Sequence, residues 1–171
     1  MMSDVWVRVA DWMLADGEPA TPNIGALLCS VGLRVRGAVT AADPSTPDGI
    51  VDVAGAQGRD AGQHVYAMTG VAGEARDIWM RTTRRGPDQH AGAEFVLSVA
   101  TDQFQVQFDG RAAEVLPGAH LTVVGPVELV GEYEWEDFGL RDTRADWLVS
   151  KVVLVPDGDA WVHLGHEGEQ G

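Results

Sequence analysis

The stretch QFQVQFD, residues 103–109, alternates apolar and polar side chains without a break. Successive side chains of an extended strand point to opposite faces of a sheet, so this pattern places one set on each face. The apolar set is Phe104, Val106 and Phe108, and the polar set is Gln103, Gln105 and Gln107. The pattern predicts a strand with one apolar and one polar face, and it is the cleanest alternation in the chain.

Strand-like segments recur along the chain, separated by turns rich in glycine and proline. They cover residues 5–14, 26–39, 50–53, 64–71, 76–83, 94–100, 103–109, 120–129, 132–138 and 146–155. Short strands at this spacing are typical of a β-barrel or sandwich, so we predict a mainly β fold. The connection between 94–100 and 103–109 is predicted as a two-residue turn at Thr101 and Asp102. The one short helix candidate is RAAEVL, 111–116, and it is too short for an α/β catalytic scaffold.

The same patterns divide the chain into four parts. Residues 1–39 are predicted as N-terminal strands that pack on or beside a barrel. Residues 40–63 are rich in Ala, Asp, Gly and Pro and are predicted as a loop or linker with one short strand. Residues 64–156 form the predicted barrel, and residues 157–171 form a C-terminal tail.

A weak family resemblance supports the barrel. The segments TGV (69–71), LPGAHLTVVGPV (116–127) and DWLVSKVVLV (146–155) flank a central hairpin, and together residues 64–155 resemble OB-like barrels. The resemblance implies a small, closed or partly open β-barrel with additional N-terminal strands. The opening VRVADW, with GEP shortly after it, resembles uncharacterised actinobacterial proteins and implies no activity.

Charge is distributed unevenly between the two halves. Residues 1–85 carry ten acids and eight bases, whereas residues 86–171 carry sixteen acids and four bases. Because affinity for nucleic acid comes mostly from cations that neutralise phosphates, the second half is poorly suited to polyanion binding. It fits a basic protein partner, or it serves solubility alone.

The segment DIWMRTTRRGPD, 77–88, is locally basic, in contrast to the overall negative charge. A strand here would place Trp79, Arg81 and Arg85 on one face, and an aromatic ring with arginines is how single strands of nucleic acid are held. These three residues are the candidate ligand-binding set, for a nucleic acid or a phosphorylated small molecule. The alternative is an outer strand whose arginines pair with the surplus acids.

The segment VGEYEWEDFG, 130–139, is the candidate partner-binding surface. On a strand, Glu132, Glu134 and Glu136 share one face, opposite Tyr133 and Trp135. Three carboxylates on one strand do not converge as metal ligands do. They form either a solvated face or a contact surface for a basic partner.

No catalytic or cofactor signature is present in the sequence. HLGH (163–166) lacks further ligands for zinc, and the single cysteine, Cys29, has apolar neighbours that predict a core position. No phosphate-binding loop, dinucleotide fingerprint or nucleophile elbow is found. We expect no signal peptide, because the first residues lack a cationic region followed by an apolar one, and the longest uncharged run, 21–33, is too short to span a bilayer. We therefore expect no cofactor, no metal and no membrane association, and a cytoplasmic location.

Three functions follow from these observations. The first is a non-enzymatic binding or accessory protein whose acidic C-terminal half contacts a protein partner. The second is an OB-type binder of single-stranded nucleic acid or a nucleotide through the Trp79 set. The third is a small β-barrel enzyme or carrier, which would require an internal cavity with convergent polar groups.

Overall fold

The computed structural model describes residues 4–16, 23–53, 64–131, 143–155 and 158–166. The elements are β1 (Val5–Val9), α1 (Asp11–Asp16), β2 (Leu27–Arg36), β3 (Ala38–Ala41), β4 (Gly49–Asp52), β5 (Tyr66–Ala72), β6 (Arg76–Arg81), β7 (Asp88–Val99), β8 (Asp102–Phe108), a 3-10 helix (Ala112–Glu114), β9 (His120–Gly125), β10 (Val127–Val130), β11 (Ala145–Leu154) and β12 (Ala160–Gly165). The fold is therefore mainly β, as the alternation predicts.

The strands join in one twelve-stranded sheet. Its order is β10-β1-β12-β11-β2-β8-β7-β5-β9-β3, with β4 paired to β5 and β6 paired to β7. β1 is parallel to β10 and β2 is parallel to β8, while the other pairs are antiparallel. β10 also pairs with β2, so the N-terminal strand β1 lies within the sheet, between β10 and β12.

One hydrophobic core runs along one face of most strands. β1 shows the pattern clearly, because Val5, Val7 and Val9 are fully buried while Arg8 between them is exposed. The largest fully buried side chains are Trp147, Phe95, Phe104, Met13, Leu33, Met68, Leu97 and Leu164. A core of this extent, drawn from both ends of the chain, is what holds β1 and β12 against the rest of the sheet.

Several local expectations differ from the structure. The turn between β7 and β8 lies at Ala100 and Thr101, one residue earlier than predicted, and Ala100 has a positive φ of 52° that a tight two-residue turn requires. The strand predicted over 5–14 ends at Val9, and α1 follows it. The predicted helix over 111–116 is a 3-10 turn of three residues. Residues 160–165, predicted within a tail, form β12.

Cys29 is exposed, so the prediction of a core cysteine is wrong. Its neighbour Ser30 has a φ of 57°, a left-handed conformation that interrupts the alternation of β2. Leu28 and Val31 are both buried although three positions separate them. The irregularity at Ser30 therefore shifts the inward-facing set by one residue and leaves Cys29 outside.

Among the described residues, no helix has the length and apolar character needed to cross a membrane.

Candidate functional site

The candidate site is a cleft that begins where the chain bends between β2 and β3. β2 runs parallel to β8 as far as the register pair Arg36 and Gln107. The chain then turns away at Gly37, and β3 pairs with β9 instead. The sheet therefore opens into a wedge between β3 and the end of β8.

Gly37 is required by close packing at this bend. A Cβ atom at Gly37 would overlap the carbonyl oxygen of Val124, and one at Gly125 would overlap the carbonyl oxygen of Arg36. The two backbones pass so closely that neither position accommodates a side chain. The Gly37 N–H also donates a hydrogen bond of 3.2 Å to the carbonyl oxygen of Gln107, which fixes the start of the wedge.

The wedge has a volume of about 780 Å³. Its larger apolar lining residues are Val39, Ile78, Phe108, Val115 and Leu121, and its polar side chains are Arg36, Thr40, Gln107, Asp109 and Glu114. A cleft of this size that combines apolar surface with polar side chains is typical of a binding site.

The backbone of β3 forms one wall of the cleft. Ala42 donates its N–H to the carbonyl oxygen of His120, so this register pair is a hydrogen-bonded one. Hydrogen-bonded and non-hydrogen-bonded pairs alternate in an antiparallel ladder, so Thr40 and Ala38 also bond to β9. The N–H and C=O groups of Val39 and Ala41 consequently point away from β9. No strand within the described residues pairs with β3 on that side, which is called the free edge of β3 below. A free edge of this kind can pair with another strand.

The cleft has an acidic end. The carboxylates of Asp109 and Glu114 make no ion pair or hydrogen bond with any residue in the described ranges. The single cation of the lining, Arg36, is paired with Glu128 at 2.7 Å. The unneutralised charge that an occupant would meet is therefore negative.

A buried polar layer supports the cleft from the adjacent strands. Glu94 is 3% exposed, pairs with Arg76, and accepts hydrogen bonds of 3.4 Å from the side chains of Gln105 and Gln107. Gln105 lies on the polar face of the alternation and is nevertheless buried, at 2% exposed. Among the residues that the structure describes, its Oε1 atom has no hydrogen-bond partner. Gln107 both bonds to Glu94 and lines the cleft, so the hydrogen bond to Glu94 holds this part of the cleft wall in position.

The structure brings together only part of the predicted ligand-binding set. Trp79 and Arg81 lie on the same face of β6, but the strand ends at Arg81 and Arg85 lies in the connection to β7. Arg81 pairs with Asp88 at 3.1 Å, while the Trp79 ring meets the His90 ring at 80°. The proposed partner-binding residues Glu132, Glu134 and Glu136 lie outside the described residues.

Each of the five histidines has a polar neighbour. Four face aspartates, as His64–Asp52 (3.8 Å), His90–Asp77 (2.8 Å), His120–Asp48 (2.9 Å) and His166–Asp102 (2.8 Å). His163 contacts the hydroxyl of Ser150, and burial lowers the pKa of His163. Within the described ranges, no three His, Cys, Asp or Glu side chains are grouped as metal ligands. His90, His120 and His163 lie in three different strands, β7, β9 and β12.

An aromatic cluster lies beside β1. The rings of Trp6 and His64 stack with centroids 4.8 Å apart, and the backbone N–H of Trp6 donates a 2.7 Å hydrogen bond to the hydroxyl of Tyr66. Burial raises the pKa of Tyr66 to about 12, against the opposing effect of that hydrogen bond. The cluster is part of the packing between β1 and β5.

Comparison with known proteins adds no assignment, because no protein-family model, curated protein or solved structure matches the chain. The cleft residues Val39, Ala41, Asp109 and Glu114 were not predicted as site residues. The only signal for them in the sequence is Gly37, which interrupts an otherwise continuous strand.

Proposed function

We propose that the protein is a non-enzymatic binding protein whose cleft takes up an extended segment of a basic protein partner. The observation that carries this proposal is the free edge of β3 along an open cleft with an acidic end. The bound segment would add a strand to β3, with its backbone paired to Val39 and Ala41.

The chemistry of the cleft supports an extended segment. Strand addition obtains affinity from main-chain hydrogen bonds, and alternate side chains of the added strand then face the floor of the cleft. Phe108 and Leu121 provide apolar surface on that floor. Asp109 and Glu114 would pair with lysine or arginine of the segment, since no described cation neutralises them.

The charge of the whole chain supports a basic partner. A formal net charge of −14 attracts a cationic segment over distances of about one Debye length, roughly 8 Å at physiological salt. Glu132, Glu134 and Glu136 belong to this proposal as further partner-binding residues. They are also among the sixteen acids of residues 86–171.

An OB-like, partly open arrangement of the sheet and a cytoplasmic location are part of the same proposal. The pairing of β10 with both β1 and β2 supports the first. A single exposed thiol at Cys29 is compatible with the second.

The test is selection from a phage-displayed library of random peptides, followed by calorimetry of the enriched peptides. We expect enrichment of lysine and arginine and a loss of affinity of about ten-fold or more in Ala41→Pro, which removes an N–H from the free edge but none from the β9 ladder. The double variant Asp109→Asn with Glu114→Gln should also lower the affinity for basic peptides. It should not make that affinity more dependent on salt. Glu74→Gln, an exposed acid away from the cleft, is the matched charge control.

Two outcomes contradict the proposal. One is enrichment of peptides that bind wild type and Ala41→Pro equally. The other is a selection that yields no peptide above the background of an unrelated protein.

A small apolar molecule is a second candidate occupant, because the cleft volume of about 780 Å³ lies in the range of ligand sites, roughly 300–1,000 Å³. Such a ligand would use the floor and not the backbone edge. A small-molecule screen by thermal shift in both wild type and Ala41→Pro distinguishes the two, since only the peptide requires the Ala41 N–H.

A further inference from the structure

The β6–β7 arm, residues 79–90, is the second surface that the fold leaves available. β7 pairs with β8 only from Ala93 onward, whereas residues 88–90 pair with residues 79–81 of β6. The arm is therefore a two-stranded ribbon that continues past the end of β8. Trp79 and Met80 are 56% and 58% exposed on its opposite faces.

The Trp79 ring is held in place from beneath. His90, its cross-strand partner, contacts the ring edge-on at a centroid distance of 5.3 Å. The Asp77 carboxylate fixes His90 at 2.8 Å and accepts a 2.9 Å hydrogen bond from the Ala112 N–H. This chain of contacts connects Trp79 to the 3-10 helix and leaves more than half of the Trp79 surface uncovered.

Cations lie at the end of the arm. Arg84 and Arg85 are exposed in the connection between β6 and β7, and within the described parts of the chain neither guanidinium makes an ion pair or hydrogen bond. Arg81 lies between them and Trp79 and is paired with Asp88. Most cations elsewhere in the described ranges are paired, as Arg34 is with Glu128 and Arg76 with Glu94.

We infer that this arm binds single-stranded nucleic acid, with a base stacked on Trp79 and neighbouring phosphates on Arg84 and Arg85. Stacking on an aromatic side chain is tolerant of sequence, and flanking arginines supply the phosphate contacts. The surrounding negative charge limits the site to a few nucleotides, because a longer strand would pass over acidic surface. The acidic cleft would not take the same ligand, so this inference is independent of the peptide proposal.

A second copy of this chain is the competing occupant, since its acidic surface also complements the cations of the arm. It accounts less well for Trp79, because an acidic surface needs no stacking platform. Self-association is therefore an outcome of the test.

The test is fluorescence anisotropy of a labelled, short, single-stranded oligonucleotide at two salt concentrations. We expect binding that weakens with salt, with a loss of roughly ten-fold in Trp79→Ala. Arg84→Ala and Arg85→Ala should each weaken binding and each reduce the salt slope by about one. Met80→Ala is the matched control for the aromatic residue and Lys151→Ala is the matched control for the arginines.

Each remaining outcome overturns the inference. The inference is overturned if the wild-type protein fails to bind the oligonucleotide at low salt. It is also overturned if Trp79→Ala binds with wild-type affinity, or if Met80→Ala loses as much affinity as Trp79→Ala. Analytical sedimentation of the same variants measures their oligomeric state. An arm substitution that changes the oligomeric state while leaving oligonucleotide binding unaltered assigns the arm to self-association instead.

Discussion

The two ends of the β6–β7 ladder carry the same kind of ion pair in opposite surroundings. Near the sheet, Arg76 faces Glu94, whose side chain is 4% exposed. Along the arm, Arg81 faces Asp88, and both side chains are more than half exposed. The comparison shows that the same kind of cross-strand ion pair stabilises the fold where its acid is buried. Where both side chains are exposed to water, the pair contributes little to stability.

The same contrast separates the two proposed binding surfaces. The cleft is made by close backbone contacts and a buried polar layer, so its shape is fixed by the core. The arm has two exposed faces and is attached through the contacts of Asp77, His90 and Ala112. Ile78 and Ala91 of the β6–β7 ladder line the cleft, so the ladder joins the two surfaces.

The largest expected effect on stability is that of replacing Gly37, at the bend beside the cleft, with alanine. Gly37→Ala should lower the free energy of unfolding by about 3 kcal/mol or more, because the new Cβ would overlap a backbone oxygen. Gly86→Ala on the arm is the comparison, since its Cβ would meet only the Thr83 hydroxyl, which can rotate away. Urea unfolding measures both. Equal losses would show that the bend at Gly37 is not constrained as described.

A second comparison removes one acid at each end of the ladder. Glu94→Ala should cost about 2 to 3 kcal/mol of unfolding free energy, because the side chains of Arg76, Gln105 and Gln107 lose a buried acceptor. Asp88→Ala should cost less than about 1 kcal/mol, as exposed pairs do. The prediction concerns the difference between the two in chemical denaturation. Similar values would contradict the burial of the Glu94 layer.

The third prediction concerns alkaline pH and the packed side of the sheet. The folded state raises the pKa of Tyr66 to about 12 from the ordinary 10, so the unfolded chain loses the phenol proton first. Stability is unaffected below pH 10 and falls as pH rises from 10 to 12, by about 2 kcal/mol. Tyr66→Phe should remove this decline. The control is Asp88→Ala on the arm, which should keep the wild-type slope between pH 10 and 12.

Much of the strand layout could be predicted from the sequence. The alternation in 103–109 and the turn before it predict the β7–β8 hairpin to within one residue, and Ile50–Val53 predicts β4. These features are local, because they depend on side-chain period and turn chemistry alone. The mainly β fold followed from the same local signals.

The site could not be predicted in this way. Gln105 is polar and lies on the glutamine face, yet it is buried, which depends on what packs over that face and not on its own segment. The cleft exists because two glycines far apart in sequence, Gly37 and Gly125, let two backbones cross. Cys29 is exposed because Ser30 adopts a conformation that periodicity does not report.

The most direct test of the central claim is amide hydrogen exchange of β3, followed by NMR. If β3 has a free edge, the amides of Val39 and Ala41 exchange fast while those of Ala38 and Thr40, bonded to β9, are protected. Addition of a selected basic peptide should then protect Val39 and Ala41 selectively. Equal protection of all four amides without peptide would contradict the free edge, and unchanged exchange on saturation with peptide would contradict strand addition.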